Sequence, residues 1–485
     1  MDVLIFNIEM ACSRFLAFKP IERPSWREIK DKDSTIPTVS EMMTQILKYE
    51  ETWRRNKNEN TEQCLAVEHE MYLEFLYQTQ KGEEIGVVDR DTFEEIICNV
   101  VDKANRKRDA KHEHTHPEVV LKKRRHSDNH FESNNADSQK FEDGAKSSQD
   151  SLPSSLDAED YLTEGNTKTI PVKKTETINL LRGYRHLKNE LKQIPKEERS
   201  HYLGIIDVEM CIKKCHEILM KDVMDAKSTA PGIFSVLPRT AEFKGIRHHY
   251  PCYKTEDIAD EAIQAIVLQY NMMINEISND KSERNKLENS FKCASVLLFG
   301  FLTLHPFADG NGRLARLLCS HCLNVLSPFP TAIYNMFSPS TRDDYITAIV
   351  NARTNLKLSS DQIECLTDAK REALLILEQK PADLCSLIIE SSWFTWRHFL
   401  RKIGEDIPML DFEKADSKSY SKGKHDCFIS LRGDISSSPP PQIFSIMRYG
   451  VNVNETTTPK SNCIRNTNFS ETINQTQSKL HRNVH

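Results

Sequence analysis

Glycine is scarce in this chain: 15 of 485 residues, about 3% against about 7% in ordinary soluble proteins. That scarcity excludes a collagen-like fibre and a glycine-rich disordered chain. Long apolar runs are missing as well. The longest, Cys293 to Leu304, is too short to span a bilayer as a helix and reads as a buried core helix. The N-terminus has no basic n-region, and Asp2 and Glu9 interrupt its apolar stretch, so it does not read as a signal peptide. Positive charge is not in excess either. The formal net charge is -6, which gives the whole chain no nucleic-acid signature. Thirteen cysteines, an odd number scattered along a long chain, point to reduced thiols rather than a disulfide framework. These absences leave a protein of the cytosol or nucleus with no membrane partner.

Hydrophobic residues make up 38% of the chain, low for one compact body of this length, so part of it is expected outside any core. Residues 1–104 read as an N-terminal helical region. Met42, Met43, Ile46, Leu47 and Trp53 have rough helical spacing, as do Met71, Leu73, Phe75 and Leu76. Residues 105–157 lose nearly all apolar character and read as a polar, disordered linker. Apolar periodicity resumes near Tyr161, which makes 158–403 the main folded domain. Residues 404–485 are polar again, with Ser436 to Ser438 running into Pro439 to Pro441, and read as a disordered tail.

Three features suggest chemistry they do not carry well. His112-Glu113-His114-Thr115-His116 spells a zinc-protease motif, but that mechanism needs both histidines on one face of a packed helix. Pro117 follows at once and no apolar face is present, so an incidental histidine tract is the better reading. Lys122-Lys123-Arg124-Arg125 reads either as an import or polyanion patch or as a plain solvated charge run. Cys319/Cys322 and Cys211/Cys215 lack the second ligand pair of a zinc site and are expected to face a helix core.

The informative stretch is His305-Pro306-Phe307-Ala308-Asp309-Gly310-Asn311-Gly312-Arg313-Leu314-Ala315-Arg316. A buried helix over roughly 291–304 delivers His305 to its end, a short turn follows, and a second helix starts. The N–H groups and dipole at such a helix start favour anions. Arg313 and Arg316, three apart, project from one face and suit a polyphosphate. Asp309 offers a hard oxygen ligand for Mg2+. His305 suits proton abstraction near neutral pH. Neither a Walker-type nor a dinucleotide glycine motif is present in the sequence.

This stretch resembles the signature of the Fic domain family at all nine specified positions. At about 1 in 20 per position, that excludes coincidence. The resemblance implies a mainly α fold: a Fic-type helical core with a small β-hairpin flap, carried with an N-terminal helical region, linker and tail. It implies a protein adenylyltransferase that moves AMP from ATP, with Mg2+, to a Ser, Thr or Tyr hydroxyl of a target protein and releases pyrophosphate. On that resemblance His305 would be the base, Asp309 would hold the metal, and Gly310, Asn311, Gly312, Arg313 and Arg316 would bind the nucleotide. Phe243 and Gly245 fall where the family has its flap, although Ser235 stands where an Arg is usual. The flap would hold the target by strand addition. Tyr345 resembles a residue near the adenine, with core packing as the equal alternative. A homodimer is compatible with the resemblance.

A brake is also implied. Asp160 to Asn166 resembles the family's inhibitory pattern [ST]-x-x-x-E-[GN], with Asp160 in place of Ser or Thr. Glu164 would then pair with Arg316 and deny it to the nucleotide. Removal of AMP from a target, and a nucleotide-sensing scaffold without transfer activity, stand as alternative functions.

Overall fold

The structure, a computed structural model, describes residues 15–28, 36–100, 170–193, 204–223, 229–358, 361–410 and 413. All of them belong to one compact unit, Met1–Phe428; a second unit, Ile429–His485, lies outside the described residues. The linker, the His112 to His116 tract, the Lys122 to Arg125 run and Glu164 are likewise outside them.

The described chain is mainly helical. In order it forms α1 (Val39–Glu59), α2 (Thr61–Gly82), α3 (Ile170–Gln193) and a π-turn segment (Val208–Lys214) leading into α4 (Cys215–Met220). Strands β1 (Thr240–Phe243) and β2 (Ile246–His249) follow, then α5 (Glu256–Asn279), α6 (Glu283–Leu304), α7 (Asn311–Leu323), α8 (Arg342–Arg353), α9 (Leu366–Leu377) and α10 (Ala382–Lys402). Capping chemistry sets several starts. Thr38 and Glu41 form a reciprocal capping box on α1, and Thr341 and Asp344 do the same on α8. Ser282 caps α6 by accepting from the Asn285 N–H.

Helix α6 is the axis of the core. From Ser290 to Leu304 every residue is buried, the pattern of a helix apolar on all sides and surrounded by others. It packs against α5, α7, α9 and α10. By length and composition it could cross a membrane, but it is enclosed by protein. Trp393, Trp396 and Phe399 of α10 are fully buried around it, each of a size whose truncation costs about 3–5 kcal/mol. The four cysteines of the two short spacings, Cys211, Cys215, Cys319 and Cys322, are buried in this core.

The N-terminal helices are part of the same packed body. Trp393 Nε1 donates to Gln45 Oε1 of α1 (2.9 Å), and Arg27 forms a buried ion pair with Glu390 of α10. Beyond α10 the polar stretch expected as tail begins with packed residues. Ile407 and Leu410 lie against the core, and Glu413 pairs with Arg397 (2.9 Å) and Arg401 (2.7 Å), which together hold its carboxyl down at about 2 despite burial.

Candidate functional site

Helix α6 ends at His305, whose backbone is left-handed (φ 49) and whose N–H donates to the Phe301 carbonyl (2.9 Å). A histidine in this region is uncommon and requires local support. Tyr250 supplies some of it: its ring lies on the imidazole at 4.0 Å between centroids and 16° between planes. Arg353 in turn lies over Tyr250 at 5.2 Å and donates to the His249 carbonyl (2.7 Å). Burial first, then the charge of Arg239, pushes His305 down to about 4. The imidazole is therefore neutral near pH 7, with one ring nitrogen able to accept a proton.

The turn from Pro306 to Gly310 is shaped by Asn311. Its Oδ1 accepts the Phe307 N–H (3.1 Å) and its Nδ2 donates to the Phe307 carbonyl (2.8 Å). Asn311 therefore folds the loop with its side chain, and only its backbone is left to face an anion. Phe307 is fully buried against Phe234 and His216. The loop thus has a rigid floor, and helix α7 starts from it with its first N–H groups unpaired within the helix.

Two arginines emerge from α7, both almost wholly buried. Arg313 Nη2 donates to Asp309 Oδ2 (2.9 Å), and its Nη1, 3.8 Å from Glu176 Oε1, makes no hydrogen bond. A buried donor without an acceptor is costly and suits a ligand oxygen. Arg316 donates through Nε to Glu83 Oε1 (2.7 Å) and through Nη2 to the Tyr334 hydroxyl. Its guanidinium lies over the rings of Tyr334 (4.4 Å) and Tyr345 (5.9 Å).

Glu83, at the C-terminal cap of α2, reaches further than Arg316. A Cβ at Gly312 would fall 2.2 Å from Glu83 Oε2, so only glycine lets this carboxylate settle over the first turn of α7. The Glu83 carboxylate thus lies where the N–H groups and dipole of a helix start favour negative charge. Glu164 had been expected to pair with Arg316; it lies outside the described residues, and the carboxylate brought to Arg316 is Glu83. Thr79 and Glu83 match the Ser/Thr and Glu of the inhibitory pattern. Glu84, with φ 55, stands in the left-handed conformation that explains Gly or Asn at the pattern's last position.

The flap is a short antiparallel hairpin with Thr240 opposite His249 and Phe243 opposite Ile246. Its two-residue turn, Lys244-Gly245, has φ 52 and 77, the paired positive values of a type I′ turn. Phe243 is half-buried and Gly245 exposed. Beneath the hairpin, Arg239 donates to the carbonyls of Ser235 and Pro251 (the latter at 2.6 Å).

Asp309 has an exposed carboxylate (62%) whose Oδ1 accepts the Gly310 N–H (2.6 Å). Among the described residues no three His, Cys, Asp or Glu gather as a metal cluster. An exposed carboxylate paired with Arg313 beside the start of α7 is of the kind that suits Mg2+, which takes one or two protein oxygens and completes its shell with phosphates and water. Tyr345 is buried and stacked on Tyr334 (4.9 Å, 24°). It takes part in core packing and also forms the wall beside Arg316. Sequence reading missed Glu83, Tyr250, His216, Tyr334 and Glu176. Of these only Glu83 had a readable signal, the Thr79-to-Glu83 spacing.

Residues 209–323 match the Fic/DOC family model. A Fido domain-containing protein of Dictyostelium discoideum is 27% identical over 126 residues, 26% of this chain and 73% of that protein. The ribonucleoside-diphosphate reductase small chain of Ostreid herpesvirus 1 is 27% identical over 150 residues, 31% of this chain. That match spans only 23% of the viral protein's length. A solved Fic domain-containing signaling protein of Bacteroides thetaiotaomicron aligns at 19% identity and a TM-score of 0.33, covering 51% of this chain and 78% of the other. For Fic-1 of C. elegans the values are 18% and 0.26, over 47% and 53%. The chain thus carries a Fic/DOC-family domain at residues 209–323.

Proposed function

We propose that this chain is a protein adenylyltransferase held in check by Glu83. The observation that carries the proposal is the cradle itself: a neutral histidine, two buried arginines and a helix start, with a carboxylate of the same chain over the place a phosphate would take.

His305 takes the proton of a Ser, Thr or Tyr hydroxyl on the target. The hydroxyl oxygen forms a bond to the α-phosphorus of ATP, and the bond from that phosphorus to the bridging oxygen of pyrophosphate breaks. The products are the AMP ester and pyrophosphate. Arg313 and Arg316 receive the negative charge that builds on the leaving group, as charge-assisted donors. Asp309 would hold Mg2+, which neutralises phosphate charge when bound. The flap offers free strand edges to an extended target segment and directs its hydroxyl towards His305. Cytosol or nucleus, where ATP is abundant and thiols stay reduced, is the compartment this chemistry suits.

With Glu83 in place, Arg316 is withheld from the outer phosphates and a second negative charge faces them. The nucleotide is then displaced from in-line geometry. A second reading, removal of AMP from a target, is favoured by the same contact, since a carboxylate over the cradle can orient water. Labelled ATP with wild type and Glu83→Gly, followed by mass spectrometry, tests the first reading. An AMP-modified target with wild type and Glu83→Gln tests the second. Absence of AMP transfer by Glu83→Gly, with or without cell extract, rejects the first.

A further inference from the structure

We propose that His216 is a positioning residue that ties the root of the flap to the loop carrying Asp309. It is fully buried, in the short helix α4, and makes three contacts of different kinds. Its ring stacks on Phe307 at 3.6 Å and 4°. Its Nδ1 accepts the Gly232 N–H (2.9 Å), at the start of the segment leading to the flap. Its Nε2 lies 2.9 Å from the Asp309 carbonyl oxygen.

These contacts fix the tautomer. A nitrogen that accepts an N–H carries no proton, so the proton is on Nε2, which donates to Asp309. The imidazole thus reads both sides at once: the flap root through one nitrogen and the backbone of Asp309 through the other. A second bond joins the same two segments, Ser235 N–H to the Pro306 carbonyl (2.8 Å). With the Asp309 carbonyl held, the direction of its carboxylate and of the following Gly310 N–H is set before any ligand arrives. Outer-shell partners of this kind typically change metal affinity by about 10- to 100-fold when removed. The role assigned to Asp309 rests on the adenylyl-transfer reading; the tie itself does not.

Two conservative substitutions separate the contacts. In His216→Gln the amide reaches the position of Nε2 and can still donate to Asp309. In His216→Asn it stops at the position of Nδ1 and can serve only Gly232. Full-length wild type, His216→Gln, His216→Asn and His216→Ala are compared by hydrogen exchange of the 305–312 loop, without nucleotide. Expected is exchange about tenfold faster in Asn and Ala, with Gln within about threefold of wild type. The same changes on a Glu83→Gly background are titrated with ATP, with and without Mg2+. Expected is loss of about tenfold in affinity for Asn and Ala only when Mg2+ is present. If Gln and Asn loosen the loop equally, or none of the three does, His216 only fills space and the proposal is wrong. If the loop responds as expected but the Glu83→Gly parent binds no ATP, the adenylyl-transfer reading fails while the tie stands. Should the Ala variant not fold, the Gln and Asn pair still decides the question.

Discussion

Glu83 and Arg316, 233 positions apart in sequence, meet through an Nε to Oε1 hydrogen bond of 2.7 Å beside the first turn of α7. The arginine is held by Tyr334 from the other side, so the pair costs little motion and much electrostatic freedom. In the proposed reaction Arg316 takes one of two partners, the protein's own carboxylate or a phosphate.

Loss of the Glu83 carboxylate leaves a buried guanidinium with only neutral acceptors. Glu83→Gln is expected to lower the stability of the nucleotide-free protein by about 2–3 kcal/mol, towards the lower end for breaking a buried ion pair because Glu83 is partly solvated. Saturating MgATP is expected to restore it by mass action. Urea unfolding with and without nucleotide measures both, and equal stability of mutant and wild type without nucleotide contradicts the expectation.

The hydroxyl of Tyr334 accepts from Arg316 whichever partner the arginine takes. Tyr334→Phe, on a Glu83→Gly background, is expected to weaken MgATP binding by about tenfold, the value of one hydrogen bond to a charged group. The ring remains to stack on the guanidinium, so the folded protein should be retained. Calorimetric titration reads the affinity; an unchanged value removes Tyr334 from the site.

Much of this site was legible from a single contiguous stretch. His305, Asp309, Arg313 and Arg316 lie within twelve residues, and short-range spacing is what a sequence displays best. The helix before them and the helix after them follow from one apolar run and one glycine-flanked turn. Phe243 and Gly245 were assigned to a hairpin through the family resemblance, and the structure places them there with Gly245 at a positive φ. Glu83 was harder to see. Its partner is remote, α2 ends like an ordinary surface helix, and Glu164-Gly165-Asn166 fits the last two positions of the brake pattern better than Glu83-Glu84 does. Tyr250 and His216 carry no spacing at all: each is a lone aromatic ring whose neighbour is supplied only by the fold. The role of Asn311 also depended on geometry, since its side chain turned inward to Phe307 rather than out to the cradle.

His305 is held at about 4 by burial and neighbouring positive charge, below its unfolded value near 6.5. Between pH 6.5 and 4 the unfolded chain therefore binds more protons at this residue. Its contribution to stability is complete above 6.5 and is lost as pH falls through that window. His216, also pushed down to about 4 by burial, adds in the same direction. Transfer by Glu83→Gly is expected to show its acid inflection well below 6.5. An inflection at 6.5 or above contradicts a neutral, half-buried His305 as the proposed base.

The Tyr250 ring covers one face of the His305 imidazole. Tyr250→Ala is expected to move the acid inflection upward towards 6.5, whereas Tyr250→Phe leaves it in place. The pH–rate profile distinguishes the two, and identical profiles for both show that the stack does not set the base.

Gly245→Val places a β-branched residue at φ 77, which costs about 1–2 kcal/mol and disrupts the flap turn. Apparent affinity for the target should fall several-fold while MgATP affinity is unchanged. A parallel loss of ATP binding shows that the hairpin supports the nucleotide rather than the target.

The most direct measurement is AMP incorporation, by mass spectrometry after incubation with MgATP, for wild type, Glu83→Gly and Glu83→Gly/His305→Ala. Expected is a rise of about 10- to 100-fold in Glu83→Gly, the value of one charge-assisted bond returned from carboxylate to phosphate, and its abolition in the double variant. Incorporation by Glu83→Gly no greater than by wild type contradicts the account.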